Sequence, residues 1–367
     1  MKPVIVQVVQ HLRPGGIETM ALDLQRQLAD RAEIHIVSLE GDSHNTLQQW
    51  PRLTEHEGHL HFLGKPPGTS LKTLWRLFRL LRRLKASAVH SHHIGPLLYG
   101  GLAARMARIR CLIHTEHDAW HLSTPSRRNL QGRLLNLVRP LIVADCDQVA
   151  RVLRKHYRYC HPTVIMNGVD VEYFKPCASD AKQRARKQLS IPEDQFIIGC
   201  AARLEPVKGH KFLFRALAAL PANVSLVLAG DGSQRACLEA LASDLGQRER
   251  IHFLGAQDDM RIFYHAIDLF CLPSLNEGLP LSPLEAQASG IPAIVTDVGG
   301  CSNTVCPVTG ALVPPADSET LHRTLLPFCE QSKPVTPRHF VLSAGDLRLT
   351  ADQYFELLNT RGRIAKC

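Results

Sequence analysis

The sequence predicts an α/β protein made of two doubly wound halves, each a parallel sheet covered by helices on both faces. Three observations predict it. Short apolar runs recur along most of the 367 residues. Helix-length segments separate them, which implies right-handed crossovers and parallel pairing. The runs are almost continuously apolar, as strands covered on both faces must be.

In the first half the strand candidates are Val4 to Val9, Ile34 to Leu39, Ala88 to His90, Cys111 to Ile113 and Leu141 to Ala144. Helical stretches 17–30, 71–85 and 94–109 lie between them. The second series is Phe196 to Ala201, Val224 to Ala229, Ile251 to Leu254, Leu269 to Leu272 and Ile291 to Val295. The stretch from about 159 to 195 is poorer in pattern and carries Pro162, Pro176 and Pro192. It reads as the link between halves 1–165 and 166–346. One amphipathic helix is expected over 347–360, and no period of 20–50 residues suggests a solenoid.

Composition narrows the class. Hydrophobic residues are 45% and charged residues 21% of the chain, ordinary for a globular protein. No apolar run approaches the roughly 18 residues a membrane span needs. The N-terminus MKPVIVQVVQH suits a first strand better than a signal peptide, so a cytoplasmic location is expected. The 11 cysteines are scattered without a CxxC pair and read as small buried hydrophobes. The formal charge is +9. Between residues 75 and 140, 12 Lys and Arg face two acids, Glu116 and Asp118. Such an excess attracts phosphates, anionic headgroups or nucleic acid.

Ligands of open parallel sheets bind beyond the carboxyl ends of the strands, so the chemistry is sought there. After the first strand, HLRPGGIET places Gly15 and Gly16 before a helix. Their backbone N–H groups and the helix dipole suit a diphosphate, although a plain turn needs them equally. After Cys111–Ile113, HTEHD places His114 and His117 on a strand-end loop. The spacing is not HExxH, and a structural role competes with contact to a substrate hydroxyl. His90, His92 and His93 cluster without the Cys or carboxylate pattern of a metal site. Asp145 and Asp147 form a DxD pair leading into a helix, where capping is favoured over Mg²⁺. After Phe196–Ala201, ARLEPVKGHK offers Arg203 and Lys208, two cations able to neutralise a departing diphosphate, or else a solvated basic loop.

The most specific stretch is PSLNEGLPLSPLEAQASGIPAIVTDVGG, residues 273–300. Glu277 lies in a loop after a strand and Glu285 a turn into the next helix, an E-x7-E pair. The first can reach sugar hydroxyls and the second a ribose diol. Backbone N–H groups near Leu281 and Ser282 open the helix and can hold phosphate.

These segments together resemble family four of the retaining glycosyltransferases, which have the GT-B fold of two Rossmann-like domains around a cleft. The glycines at 15–16, the histidine at 117, NGVD at 167–170, ARLEPVKG at 202–209, LAGDG at 228–232 and E-x7-E occur in family order. HTEHD is similar to the variant of bacterial exopolysaccharide and capsule transferases. The resemblance implies a nucleotide-sugar donor, with UDP- or GDP-sugars favoured, and a glycan or lipid-linked acceptor. Transfer without a metal or cofactor is expected, because Arg203 and Lys208 can supply the positive charge on the leaving diphosphate. Arg203 and Lys208 would bind the diphosphate, Glu277 and the adjoining Gly278 the sugar, Glu285 the ribose. His117 would line the sugar-binding floor, Gly15 and Gly16 would approach the phosphates from the other domain, and a helix over 347–367 would pack back on the N-terminal domain. One departure is GGCSN, with Asn303 where the family often has Glu.

Other classes fit less well. A dinucleotide-dependent oxidoreductase needs GxGxxG, and GDGSQR at 230–235 lacks the third glycine. No Walker A pattern appears. Nucleic-acid binding lacks an aromatic RNP pattern, and aromatics are only 6%. A sugar-nucleotide epimerase shares the architecture, but the E-x7-E segment argues against it by resemblance.

The segment LKTLWRLFRLLRRLK, 71–85, allows two readings. Leu74, Leu77, Phe78, Leu81 and Leu84 form one apolar face. That face either covers the first sheet with Arg76, Arg79, Arg82, Arg83 and Lys85 solvated, or lies on an anionic membrane with Trp75 beside it.

Overall fold

The computed structural model of the protein describes residues 2–330 and 336–362. It divides into two compact units. The first runs to Asn167 and resumes at Leu347, and the second is Gly168–Asp346.

The first unit holds a seven-stranded parallel sheet. Its strands are β1 (Val4–Val9), β2 (Glu33–Ser38), β3 (Leu60–Phe62), β4 (Ala88–His92), β5 (Cys111–Glu116), β6 (Leu141–Ala144) and β7 (Thr163–Val164), in the order β3-β2-β1-β4-β5-β6-β7. The second unit holds β8 (Phe196–Ala201), β9 (Val224–Ala229), β10 (Ile251–Gly255), β11 (Leu269–Leu272), β12 (Ala293–Thr296) and β13 (Ala311–Val313), in the order β10-β9-β8-β11-β12-β13. Every pair within these sheets is parallel. Each sheet carries its own core, with Val6, Val8 and Val89 in the first, and Ile198, Leu226 and Phe270 in the second.

The structure departs from the expected strands in two ways. β3, β7 and β13 have only two or three residues, too few for a periodicity to register. β4 and β5 also continue past their apolar runs, to His92 and Glu116. His114 therefore lies inside a strand rather than on the expected loop. Polar residues can extend these strands because they bond sideways. His90 Nε2 lies 2.8 Å from Thr115 Oγ1, and Ser91 Oγ 3.1 Å from His114 Nδ1. Helix 94–109 is also not continuous. It is a chain of short turns with a π-helical segment, Leu97–Gly101, at its centre.

The basic helix spans Leu71–Arg83, capped by Ser70, whose Oγ accepts from Thr73 N at 3.2 Å. Leu77, Leu80 and Leu81 are buried in the core, with Leu74, Phe78 and Leu84 packed against it. The apolar face thus covers the sheet and is not available to a bilayer. Arg76, Arg79, Arg82 and Arg83 remain exposed, as do Leu71 (79%) and Trp75 (53%).

The helix Leu347–Gly362 belongs to the first unit. Ala351, Tyr354 and Leu358 pack with Met20, Leu24 and Ile5, and Thr350 Oγ1 donates to Met166 O at 2.7 Å. Residues 363–367 of the anticipated helix lie outside the described residues. The ten described cysteines are free thiols, most of them buried.

Candidate active site

Both sheets reverse their strand order beside the first strand of the unit: between β1 and β4, and between β8 and β11. The loops leaving such a pair diverge and open a crevice at their carboxyl ends.

In the second unit these loops carry Arg203, Lys208 and Glu277. Lys208 Nζ lies 2.6 Å from Glu277 Oε1, with side chains 16% and 8% exposed. Ser274 Oγ donates to the same oxygen at 2.6 Å, and Thr296 Oγ1 donates to Ser274 O at 2.5 Å. The two loops are tied through backbone, with Leu275 N donating to Val207 O at 2.7 Å. Gly209 makes that approach possible. Its φ is +67°, and a Cβ there would fall 2.1 Å from Pro273 O. Gly300 N donates to Gly278 O at 2.6 Å, and a Cβ on Gly299 would fall 2.0 Å from Glu277 O. The loop 297–300 therefore pins Glu277 and Gly278 from behind. Arg203 is exposed, and Glu205 close by is bonded to Ser233 instead, at 3.1 and 2.7 Å. Among the described residues Arg203 has no ion-pair partner.

Glu285 sits in the short helix Ser282–Ala288, with Leu281 as its first flanking residue. Buried Tyr264 donates to Glu285 Oε2 at 2.6 Å. Burial, and then the Glu285 charge, push the Tyr264 hydroxyl well above its usual range, so it stays protonated and orients the carboxylate. His210 is buried against Lys208, its pKa lowered to about 4 by burial and by that cation.

In the first unit Gly16 opens the helix Gly16–Gln27 and Gly15 flanks it in an extended conformation. The Glu18 carboxylate folds back over this turn, where a Cβ on Gly15 would meet Glu18 Oε2 at 2.6 Å, and His11 pairs with it at 3.3 Å. An acid therefore shares the place expected for phosphate.

His117 follows β5 and is buried. Its Nε2 lies 3.0 Å from His92 Nδ1, its Nδ1 3.4 Å from Asn167 Nδ2 and 3.8 Å from Asp145 Oδ2. Burial, with repulsion from neighbouring histidines, lowers His92 and His117 well below the ordinary value and His90 to about 3. These rings are neutral. Asp145 is 1% exposed and burial raises its pKa well above the usual range. It does not cap the next helix, Asp147–His156, whose cap position is Cys146 with no side-chain bond. The favoured capping role for the DxD pair is therefore corrected.

A second group lies alongside and is ionic. Glu116 is fully buried, with His93 Nδ1 at 3.1 Å, His114 Nε2 at 3.4 Å and Gln131 Nε2 donating at 2.5 Å. Burial alone would raise its pKa, yet the bonds from His114 and His93 hold it below the usual range. His121, beside Asp118 at 3.3 Å, is pushed up to about 9 against the opposing effect of burial. Among the described residues no group of three His, Cys, Asp or Glu is arranged to hold a metal ion.

The tertiary structure thus joins Lys208 to Glu277, supports Glu285 with Tyr264, and surrounds His117 with His92, Asp145 and Asn167. Ser274 and Thr296 were not singled out in the sequence, although Ser274 stands three residues before Glu277. Tyr264 left no local signal, because it reaches Glu285 from another helix.

Two doubly wound units with a Lys–Glu pair at one switch point and a buried histidine array at the other define a GT-B glycosyltransferase. Family models agree: one described as Glycosyltransferase Family 4 matches residues 14–173, and one described as glycosyl transferases group 1 matches residues 181–338. The chain belongs to glycosyltransferase family four. It is similar to EpsF of Bacillus subtilis, at 29% identity over 80% of this chain and 79% of that protein. It is also similar to the UDP-Gal:α-D-GlcNAc-diphosphoundecaprenol α-1,3-galactosyltransferase of Escherichia coli, at 31% identity over 63% of this chain and 62% of that one. A crystal structure of Anabaena HepE in complex with UDP and glucose shares its fold, with a TM-score of 0.84 and 22% identity over 98% and 100% of the two chains. The epimerase reading has nothing here to carry it.

Proposed function

We propose that the protein transfers a hexose from a nucleotide sugar, UDP- or GDP-linked, to a glycan or lipid-linked acceptor in cell-surface polysaccharide assembly, with retention of anomeric configuration and without a metal. The observation that carries this reading is the Lys208–Glu277 pair at 2.6 Å at the β8/β11 switch point. Similarity to a transferase named for UDP-Gal and a diphosphoundecaprenol acceptor supports the donor and acceptor classes, and HepE, crystallised with UDP and glucose, supports a uridine donor.

In this reading the bond from the sugar C1 to the diphosphate oxygen breaks, and its electron pair leaves on phosphate. Arg203 and Lys208 place positive charge where that negative charge develops. Glu277 holds a sugar hydroxyl, with Gly278 beside it, and Glu285 holds the ribose diol. Backbone N–H groups at Leu281 and Ser282 face phosphate. The acceptor oxygen forms the new bond on the same face of the sugar, and its proton passes to the departing diphosphate. Arg203 and Lys208 occupy the role a divalent ion would otherwise fill.

Turnover of UDP- and GDP-sugars with an undecaprenyl-diphosphate glycan acceptor, with and without EDTA, tests this. Full activity in EDTA with a product of unchanged anomeric configuration is expected. Activity lost in EDTA and restored by Mg²⁺ would overturn the metal-free reading.

No helix among the described residues is long and apolar enough to cross a membrane. We place the protein at the cytoplasmic face of a membrane, held by charge rather than by insertion. The exposed arginines of Leu71–Arg83 support this, each worth roughly 1 kcal/mol near an anionic leaflet. Co-sedimentation with anionic vesicles at low salt, lost at high salt and in Arg79→Glu/Arg83→Glu, is expected. Absence of anionic binding at low salt would remove the membrane from the proposal.

A further inference from the structure

The direction of every hydrogen bond running to His117 is set by a backbone carbonyl two side chains away. Ala21 O can only accept, so Gln7 Nε2 donates to it, at 2.8 Å. The Gln7 amide is thereby oriented, with Oε1 facing His92 Nε2 at 3.2 Å. That oxygen can only accept, so His92 carries its proton on Nε2 and a lone pair on Nδ1. His117 Nε2, 3.0 Å from that lone pair, must be the donor. In a neutral ring the remaining nitrogen, Nδ1, then holds the lone pair of His117. The Asn167 amide nitrogen approaches it at 3.4 Å, a long contact from a group that can only donate.

We infer that Gln7 and His92 are positioning residues that hold His117 as the Nε2–H tautomer, so that His117 meets the donor sugar as a hydrogen-bond acceptor and selects a hydroxyl there. This rests on the reading above that His117 lines the sugar site. Three further observations agree. Gln7 and His92 are each 1% exposed, so water does not compete for the chain. The neutral state that the chain demands is the one that burial enforces on His92 and His117. Asp145 and Asn167, the residues nearest Nδ1, each keep a buried oxygen, Oδ1, without a hydrogen-bond partner among the described residues. A hydroxyl, which both donates and accepts, is the small group suited to an edge made of a lone pair, a protonated carboxyl and an amide oxygen. His117 cannot act there as a proton donor while its only N–H is held by His92.

The test is ring-nitrogen NMR of the full-length protein labelled with ¹⁵N-histidine, near neutral pH, beside steady-state kinetics. In the wild type, His92 and His117 should each show a protonated Nε2 and a bare Nδ1. A proton on His117 Nδ1, or on both nitrogens, overturns the inference without recourse to any variant. Gln7→Leu removes the oriented acceptor and should return His117 to a tautomer mixture, with kcat lower by about tenfold, the scale of one lost buried hydrogen bond, and donor KM little changed. His92→Leu should do the same. His92→Gln keeps an N–H toward Gln7 and an oxygen toward His117, and should restore both the signature and most of the kcat. An unchanged His117 signature in folded Gln7→Leu, or no rescue by His92→Gln, overturns the relay. A lost signature with wild-type turnover would leave the relay standing and remove His117 from the sugar site.

Discussion

The two switch points share a strand order and differ in how their polar groups are neutralised. At β8/β11 the groups are few, partly exposed and oppositely charged: Lys208 against Glu277, with exposed Arg203 earlier in the loop that carries Lys208. At β1/β4 and the neighbouring β5 they are many, buried and mostly histidine. There burial sorts them. His90, His92 and His117 are neutral, whereas His93 and His121 are held charged by Glu116 and Asp118. One topology thus carries a partly exposed pair of opposite charges and a buried group of neutral histidines. The difference comes from solvent access rather than from the strands.

The largest effect that would sharpen this contrast is expected at Lys208. Lys208→Ala removes charge from the departing diphosphate and leaves Glu277 unpaired. Turnover should fall by roughly 10²–10³-fold, the range seen when one transition-state donor is lost. Near-wild-type kcat/KM in a folded variant would break the contrast at its charged end. Glu277→Gln should likewise lose turnover while retaining nucleotide binding, since Lys208 is then released toward phosphate. Isothermal titration with UDP would check it.

A middle-sized effect belongs to the buried ionic group. His121 has its pKa raised from 6.5 to about 9. Its contribution to stability is complete below 6.5 and is lost as pH rises through about 9. Glu116 is shifted the other way. Its contribution is present above the ordinary value of 4.5 and is lost as pH falls through its lower folded value. Stability to thermal unfolding should therefore fall between pH 6.5 and 9, by about 2 kcal/mol. His121→Gln should flatten that slope. An unchanged slope would show that His121 is not charged in the folded state.

The smallest expected effect lies at Glu285. Tyr264→Phe removes one hydrogen bond to a carboxylate, worth about 1.5 kcal/mol. Donor KM should rise about tenfold, with kcat nearly unchanged. A fall in kcat at constant KM would place Glu285 on the reacting sugar instead of the ribose.

Much of the charged site was legible because it is local. Glu277 and Glu285 stand eight apart in one strand–loop–helix unit, and Arg203 and Lys208 share one loop. The neutral site was not legible in this way. Gln7, His92, His117, Asp145 and Asn167 come from five places in the chain. His92 reads as a member of a histidine cluster and Asp145 as a helix cap until their neighbours are known. Glu116, counted at first only as one of two acids in a basic region, proves to be the buried centre of the ionic group. The basic helix shows the same limit. Its apolar face was plain from the spacing, but only packing shows that Leu77, Leu80 and Leu81 cover a sheet.

By itself, the sequence determined what depends on short-range periodicity and spacing. That covers two series of buried parallel strands, the glycine-marked turns after them, and the carboxylates and cations that follow β8 and β11. Tertiary structure alone decided which of those groups meet and in what protonation state. Lys208 meets Glu277 because Gly209 lets two loops touch. His117 is neutral because burial and the neighbouring histidines disfavour its charged form, and it points its lone pair one way because Ala21, on a helix, offers Gln7 a carbonyl. Hydrogen-bond polarity and pKa depend on groups within a few ångströms in space, and the distances between those groups are set by the packing of elements far apart in the chain.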